Sequence, residues 1–337
     1  MIFKDYPVKP FLVTGNKDVQ VLLEDMENIS FQGRTLGRAF RIWKEMLEDK
    51  TFIFFGLAGA MVPAGMRKVV SYLIEKRLID CIVSTGANLF HDCHESLGRF
   101  HYRASPYMDD AKLKKIGMDR IYDTLASEEE FQLTDKFIQQ FAKTLDMNYT
   151  YTTREFLYLL GEYLYKNGKE QGILTSAYQS KVPIYCPAIG DSSIGIALAA
   201  NHIPVKFDLV KDVEETAYLA GKAGKTGVIY IGGGTPKNFI QQTQVTLSVT
   251  GNPGEGHFYA IQIITDAPHW GGLSGCTLEE AISWGKISLK AKKVSVYCDA
   301  TIALPILTEG LAAAIEKGLT RSWIPEFEMK KEIKLKP

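Results

Sequence analysis

A chain of 337 residues in which 39 Lys and Arg balance 39 Asp and Glu offers no overall field to hold a phosphate backbone, so nucleic acid is not expected as its main partner. With 46% apolar and 23% charged residues and only 13 prolines, it has a globular composition that excludes collagen-like, disordered and coiled-coil chains. Its five cysteines (Cys81, Cys93, Cys186, Cys276 and Cys298) are scattered with no C-x-x-C among them, which argues against a disulfide or zinc framework.

Met1 to Asn16 lacks the charged start and long apolar stretch of a secretion signal. The apolar run Phe52 to Met66 is interrupted by Gly56, Gly59, Pro63 and Gly65 and is too short to span a bilayer. A cytoplasmic protein without a membrane segment is expected. Apolar residues at helical spacing over Val19 to Met26 and Thr35 to Glu48 predict an entry segment of helices within residues 1–50.

From residue 51 onward, β-branched or aromatic runs end in small-residue loops and pass into helical patterns. They are TFIFFG before LAGAMVPAG, CIVSTGAN before LFHDCHESL, VPIYCPAIGDSS before IGIALAANH, VIYIGGG before TPKNFIQQ, and VSVYCDAT before IALPILTEGLAAAIEKG. This alternation predicts parallel strands with crossover helices, a doubly wound Rossmann-like α/β fold with helices on both faces of the sheet. The lack of polar alternation in most strands agrees with a sheet covered on both sides. Ligands of such sheets bind beyond the carboxyl ends of the strands, which directs attention to the loops. Residues 109–165, rich in Lys, Asp, Glu and Tyr, are expected to form a helical excursion, and the tail from Lys330 a solvated end. Ligand-facing loops spread along the whole chain predict a single domain over residues 1–337.

Several motifs have both a chemical and a plain reading. Gly224-Lys225-Thr226 is not a P-loop, because Leu219 stands where its first glycine belongs and a strand follows. Gly232, Gly233 and Gly234 leave a strand and open a helix, which suits an anion or a tight turn equally. Asp191, Asp266 and Asp299 each end a strand, where a carboxylate can accept from ribose hydroxyls or cap a helix. His91, Cys93 and His94 lack further ligands nearby, so no metal is expected and His91 is read as a polar group of the ligand crevice. In GLSGCTLEEAISWGKI, Thr277 and Glu280 form a capping box, a short helix runs toward Trp284 and stops at Gly285, and Lys286 follows. A lysine against an indole can be desolvated into a neutral nucleophile, or can be an ordinary surface lysine.

The run EEAISWGKI followed by VSVYCDATIALPIL, together with IVSTGAN, CPAIGDSSIG and IGGG, resembles the deoxyhypusine synthase family over nearly the whole chain. The resemblance implies an NAD-dependent aminobutyl transfer from a polyamine such as spermidine, through a lysine imine, to an acceptor amine. The acceptor is a translation-factor lysine in typical members and putrescine in the homospermidine synthases. It further implies a homotetramer with active sites shared across a dimer interface.

Carried onto this chain, the resemblance implies Lys286 as the imine-forming lysine, Trp284 as the wall along the aliphatic amine, and Glu280 as an anchor for an ammonium. His91 and Asn238 take substrate-binding positions. The NAD positions are Gly59, Ala60, Met61, Val62, Pro63, Thr85, Gly86, Ala87, Asp191, Gly232, Gly233, Gly234, Thr265, Asp266, Asp299 and Ala300. Departures accompany the match: Phe90 and His91 replace two adjacent glutamates, Ile196 and Leu273 replace acids, and Asn238 replaces a histidine. Losing a carboxylate that pairs with a buried ammonium costs ~3 to 5 kcal/mol. A different amine donor, or a small acceptor such as putrescine, is therefore expected. The alternatives are an authentic deoxyhypusine synthase and an idle NAD-binding sensor.

Overall fold

The computed structural model describes residues 7–272, 276–329 and 331–336. Six parallel strands form the central sheet: β1 (Phe52–Leu57), β2 (Cys81–Ser84), β3 (Ile184–Tyr185), β4 (Thr226–Ile231), β5 (His257–Ile264) and β6 (Ile287–Tyr297). Their spatial order is β3-β2-β1-β4-β5-β6. This is the doubly wound order of dinucleotide-binding sheets, with the reversal between β1 and β4. The strand that ends in the expected IITDAP loop is β5.

Side-chain alternation along the strands divides the core in two. Ile53, Phe55 and Leu57 of β1 with Ile229 and Ile231 of β4 join one apolar cluster, whereas Phe52, Phe54, Val228 and Tyr230 join the other. Every residue of β1 and β4 is buried, because both faces carry helices. The helices that concern the site are α1 (Val19–Met26), α2 (Phe31–Glu48), α3 (Arg67–Glu75), α4 (Gly86–Ser96), α5 (Glu128–Ala142), α6 (Thr153–Asn167), α7 (Ile173–Ser180), α8 (Ser193–Ala200), α9 (Leu209–Ala223), α10 (Gly234–Val249) and α11 (Ala300–Glu316). Helix α2 starts four residues before the expected Thr35. Its first turn buries no side chain, Phe31 included, so the helical apolar period begins only at Leu36.

Two expectations need correction. The excursion at 109–165 is not purely helical: Met118–Ile121 and Thr124–Ser127 pair antiparallel, with Tyr102–Arg103 on the other side of Thr124–Ser127. Gly117 and Tyr122, both at positive φ, make the reversals that end the helical pattern there. The tail is not simply solvated either. Phe327–Glu328 pairs antiparallel with Lys334–Leu335, and Ile333 and Leu335 are buried in the second cluster. Apolar residues alternating with charges in that tail mark a half-buried strand.

Candidate functional site

All six carboxyl-terminal strand ends carry expected nucleotide positions, and the structure brings several of their loops into contact. After β1, Gly59 takes φ +74° and Gly59 and Ala60 are exposed, with Met61 half-buried. Val62 and Pro63 are instead buried in the π-helical turn Val62–Met66, so they shape the loop and do not line its surface. After β2, Gly86 opens α4 and has no room for a side chain: a Cβ there would lie 2.3 Å from Ser192 Oγ in the loop after β3. Ala87 is exposed and Thr85 half-buried beside it.

Asn88 stitches the first two loops. Its Nδ2 donates to Gly59 O at 2.8 Å and to Thr85 Oγ1 at 3.1 Å, and its Oδ1 accepts from Val62 N at 3.1 Å. Sequence reasoning missed Asn88, although a polar residue in the first turn of a helix that follows a glycine loop is a usable signal.

After β4, Gly232 and Gly234 adopt φ +74° and +56°, conformations that an L side chain seldom tolerates. Gly233 is buried between them, and α10 begins there without a side-chain cap. The amino ends of α4 and α10 thus present backbone N–H groups at the switch point, as an anion requires. Asp191, Thr265 and Asp266 are exposed after β3 and β5. Asp299 caps α11 through Oδ1, which accepts from Thr301 N at 2.7 Å and Thr301 Oγ1 at 2.6 Å, with Ala300 half-buried beside it.

The second group of candidate residues lies elsewhere on the sheet. The expected capping box forms: Glu280 N donates to Thr277 Oγ1 at 2.9 Å and Thr277 N to Glu280 Oε2 at 3.4 Å. The helix Glu280–Ser283 closes at Gly285, φ +67°. Lys286 O accepts from His257 N at 3.0 Å, which sets the Lys286 backbone at the amino ends of β5 and β6. Thr265, Asp266 and Asp299 lie at the opposite ends of those strands, about 23 Å of strand away. Lys286 Nζ sits 5.3 Å from the centroid of the Trp284 ring, so the pair assembles as expected. The desolvating wall does not form within one chain, however, because Trp284 is 66% exposed.

The lysine that burial perturbs is Lys237, in the first turn of α10. It is 1% exposed, and burial pushes its pKa down to about 8 against the pull of Cys276 and Glu280. Its Nζ donates to Gln262 Oε1 at 3.0 Å and to Cys276 O, while Gln262 Nε2 donates to Gly232 O at 3.0 Å. Lys237 therefore ties the glycine loop to the segment that carries Glu280, Trp284 and Lys286. No motif marks it in the sequence. Asn238, the next residue, lines a groove of about 420 Å³ with Val213 of α9, Phe239 and Gln242.

Phe90 is 2% exposed and stacks edge-on against Phe131 of α5, 5.5 Å between centroids, so it belongs to the core. Ile196 on α8 is 61% exposed. Leu273 lies outside the described residues. His91 is half-buried one turn beyond Ala87, and its Nδ1 lies 2.9 Å from His101 Nε2. Among the described residues no group of three His, Cys, Asp or Glu side chains is arranged to hold a metal ion. A cavity of about 860 Å³, lined by Tyr149, Tyr151, Tyr158, Glu155 and the carboxyl-terminal hairpin, contains none of the candidate residues. Among the described residues no helix is long and apolar enough to cross a membrane.

Residues 21–311 match the family model described as deoxyhypusine synthase. The chain is 51% identical over 315 residues to Probable deoxyhypusine synthase 2 of Methanosarcina acetivorans, covering 92% of this chain and 91% of that protein. It is 52% identical over 304 residues to the protein of the same name from Archaeoglobus fulgidus, covering 90% and 99%. Among solved structures, that of an Entamoeba histolytica protein assigned as a deoxyhypusine synthase superposes with a TM-score of 0.62 at 18% identity, covering 91% of this chain and 96% of the other.

Proposed function

Because this chain belongs to the deoxyhypusine synthase family of NAD-dependent aminobutyltransferases, we propose that it moves an aminobutyl group from a polyamine, through an imine on Lys286, to an acceptor amine. The observation that carries this reading is the convergence of glycine loops and two uncapped helix starts at the switch point of a β3-β2-β1-β4-β5-β6 sheet. The positive φ of Gly59, Gly232 and Gly234 keeps these turns free of side chains, which suits a ligand that backbone must approach closely. NAD would be held there by the amino ends of α4 and α10, with Asp191, Asp266 and Asp299 available to its hydroxyls. Its chemistry would be to accept a hydride from the carbon beside the amine nitrogen and return it at the end.

The chain's own residues do the rest. Trp284 offers an apolar face to the methylenes, and Glu280 an exposed carboxylate to an ammonium. The Lys286 amine attacks the oxidised carbon and expels the departing diamine, so that the four-carbon fragment is held as a lysine imine. The acceptor nitrogen then displaces Lys286, which leaves as the free amine. We assign the acceptor to a small amine such as putrescine, since three positions that carry acids or a histidine in typical members hold Phe90, Ile196 and Asn238 here.

The exposed Trp284 and the strand length between Lys286 and Asp299 support a site completed by a second copy of the chain, in a homotetramer. Borohydride trapping with NAD and spermidine, putrescine or agmatine should label Lys286. If none of the three amines leaves an adduct, the reading fails. Product analysis across amine pairs separates a small acceptor from a translation-factor lysine.

A further inference from the structure

The cavity of about 860 Å³ beside the carboxyl-terminal hairpin contains none of the candidate residues, and its lining has a chemistry of its own. Tyr149, Tyr151 and Tyr158 contribute aromatic rings, Leu159 and Phe327 apolar surface, and Glu155 a carboxylate. A concave site of this size, aromatic and apolar with a few convergent polar groups, is what a small organic ligand requires.

Glu155 gives the interior its charge. It is 8% exposed, its Oε1 accepts from the Tyr149 hydroxyl at 2.9 Å, and its Oε2 accepts from Thr152 N at 2.9 Å and Thr152 Oγ1 at 3.3 Å. All three donors are neutral. The neighbouring Arg154 is turned to Glu215, which it holds through Nε at 2.7 Å and Nη2 at 2.9 Å, and among the described residues none forms an ion pair with Glu155. Burial and the bond to Glu155 push the Tyr149 pKa up to about 12, so its hydroxyl remains a donor to the carboxylate. Most of the carboxylate's acceptor positions are thus taken by the protein, and an ammonium bearing three N–H groups would find too few partners there.

At the mouth, Lys181, Lys331 and Lys336 stand with Asp146 and Glu328, all of them exposed. Lys336 pairs with Glu326 at 3.5 Å. Lys331, between the two strands of the hairpin, lays its Nζ 5.2 Å from the centroid of the Tyr149 ring. The aromatic wall therefore already attracts a cation, supplied by the chain itself from an exposed position.

We propose that this cavity is a ligand site separate from Lys286 and that it takes a quaternary ammonium carrying an aliphatic chain. The head group replaces Lys331 Nζ over the tyrosine rings, Glu155 supplies charge without a hydrogen bond, and the chain lies along Leu159 and Phe327. A quaternary nitrogen suits this wall because its charge is spread over alkyl groups that need no acceptor. The hairpin forms one side of the cavity, so an occupant also braces it against the body of the protein.

Calorimetric titration of the full chain with hexyltrimethylammonium, 1-hexanol and hexanesulfonate, which share one chain length, tests the proposal. The ammonium should bind saturably and about tenfold more tightly than the alcohol or the sulfonate. Tyr149→Leu should weaken it about tenfold, whereas Tyr149→Phe, which keeps the ring, should change it less than about threefold. Lys331→Gln, a change at an exposed position, should tighten it about threefold because the competing cation is gone. No saturable binding of the ammonium overturns the proposal, and so does a sulfonate that binds as tightly, since the lysines at the mouth would then select the ligand. Ammonium binding that neither Tyr149→Leu nor Lys331→Gln alters lies elsewhere on the protein and overturns it too. A quaternary nitrogen cannot form an imine, so each of these results is independent of whether Lys286 transfers an aminobutyl group.

Discussion

Lys237 and Lys286 divide between them what the sequence analysis assigned to a single lysine. The depressed pKa belongs to Lys237, which is buried and donates to Gln262 and Cys276. Accessibility and the indole belong to Lys286. A nucleophile must present its nitrogen to substrate, whereas Lys237 is committed to protein acceptors, so borohydride should label Lys286 and spare Lys237 in peptide mapping. Lys237→Met removes two charge-assisted hydrogen bonds, to Gln262 Oε1 and to the Cys276 carbonyl, at about 1.5 to 3 kcal/mol each. Its denaturation midpoint should fall accordingly, and adduct formation should slow even where the fold survives, because the Lys286 segment loses its tie to Gly232.

Two helices are capped at their amino ends by carboxylates supplied from other helices. Asp92 of α4 accepts from Ile173 N at 2.8 Å and Leu174 N at 2.7 Å at the start of α7, and Arg67 of α3 donates to it at 2.9 Å. Asp92→Ala leaves Arg67 its contacts to Glu170 and Ser96 but takes the acceptor from Ile173 N and Leu174 N, and should cost about 1 to 3 kcal/mol for each buried N–H left unpaired, read by urea unfolding.

Asp212 of α9 does the same for α6, accepting from Thr153 N at 3.0 Å and Thr153 Oγ1 at 2.6 Å. Burial raises its pKa to about 7 despite those bonds. The folded protein therefore keeps a proton that the unfolded chain releases near pH ~3.9, so stability is lost as pH rises from there through about 7. Asp212→Asn cannot titrate, and its unfolding midpoint should change less between pH 5 and pH 8 than that of the unmodified protein.

At the scale of the whole molecule, the candidate nucleotide loops lie at the carboxyl edge of the sheet and the Lys286 backbone at the amino ends of β5 and β6. If a second copy completes the site, Lys286→Ala and Asp266→Ala chains should each be inactive alone. Mixed oligomers formed after dissociation and reassembly should recover part of the activity. Mixtures that stay inactive after verified subunit exchange would place both groups in one protomer's site.

Strand ends, the glycine loops, the capping box at Thr277 and the lysine after an indole could be read from the sequence alone. Each is a local matter of spacing, turn geometry or a residue type that only one conformation tolerates, and that local grammar determined the fold class and the candidate loops. Only the tertiary structure decided that Lys237 is the buried lysine, that Phe90 is core, and that His101 links Glu95 to His91. It also decided that Asn88 joins two loops and that the tail closes a hairpin. Burial and hydrogen-bond partnership depend on how whole elements meet, whether the partners are six positions apart, as Glu95 and His101 are, or twenty-five, as Lys237 and Gln262 are, and no periodicity within a single segment encodes them.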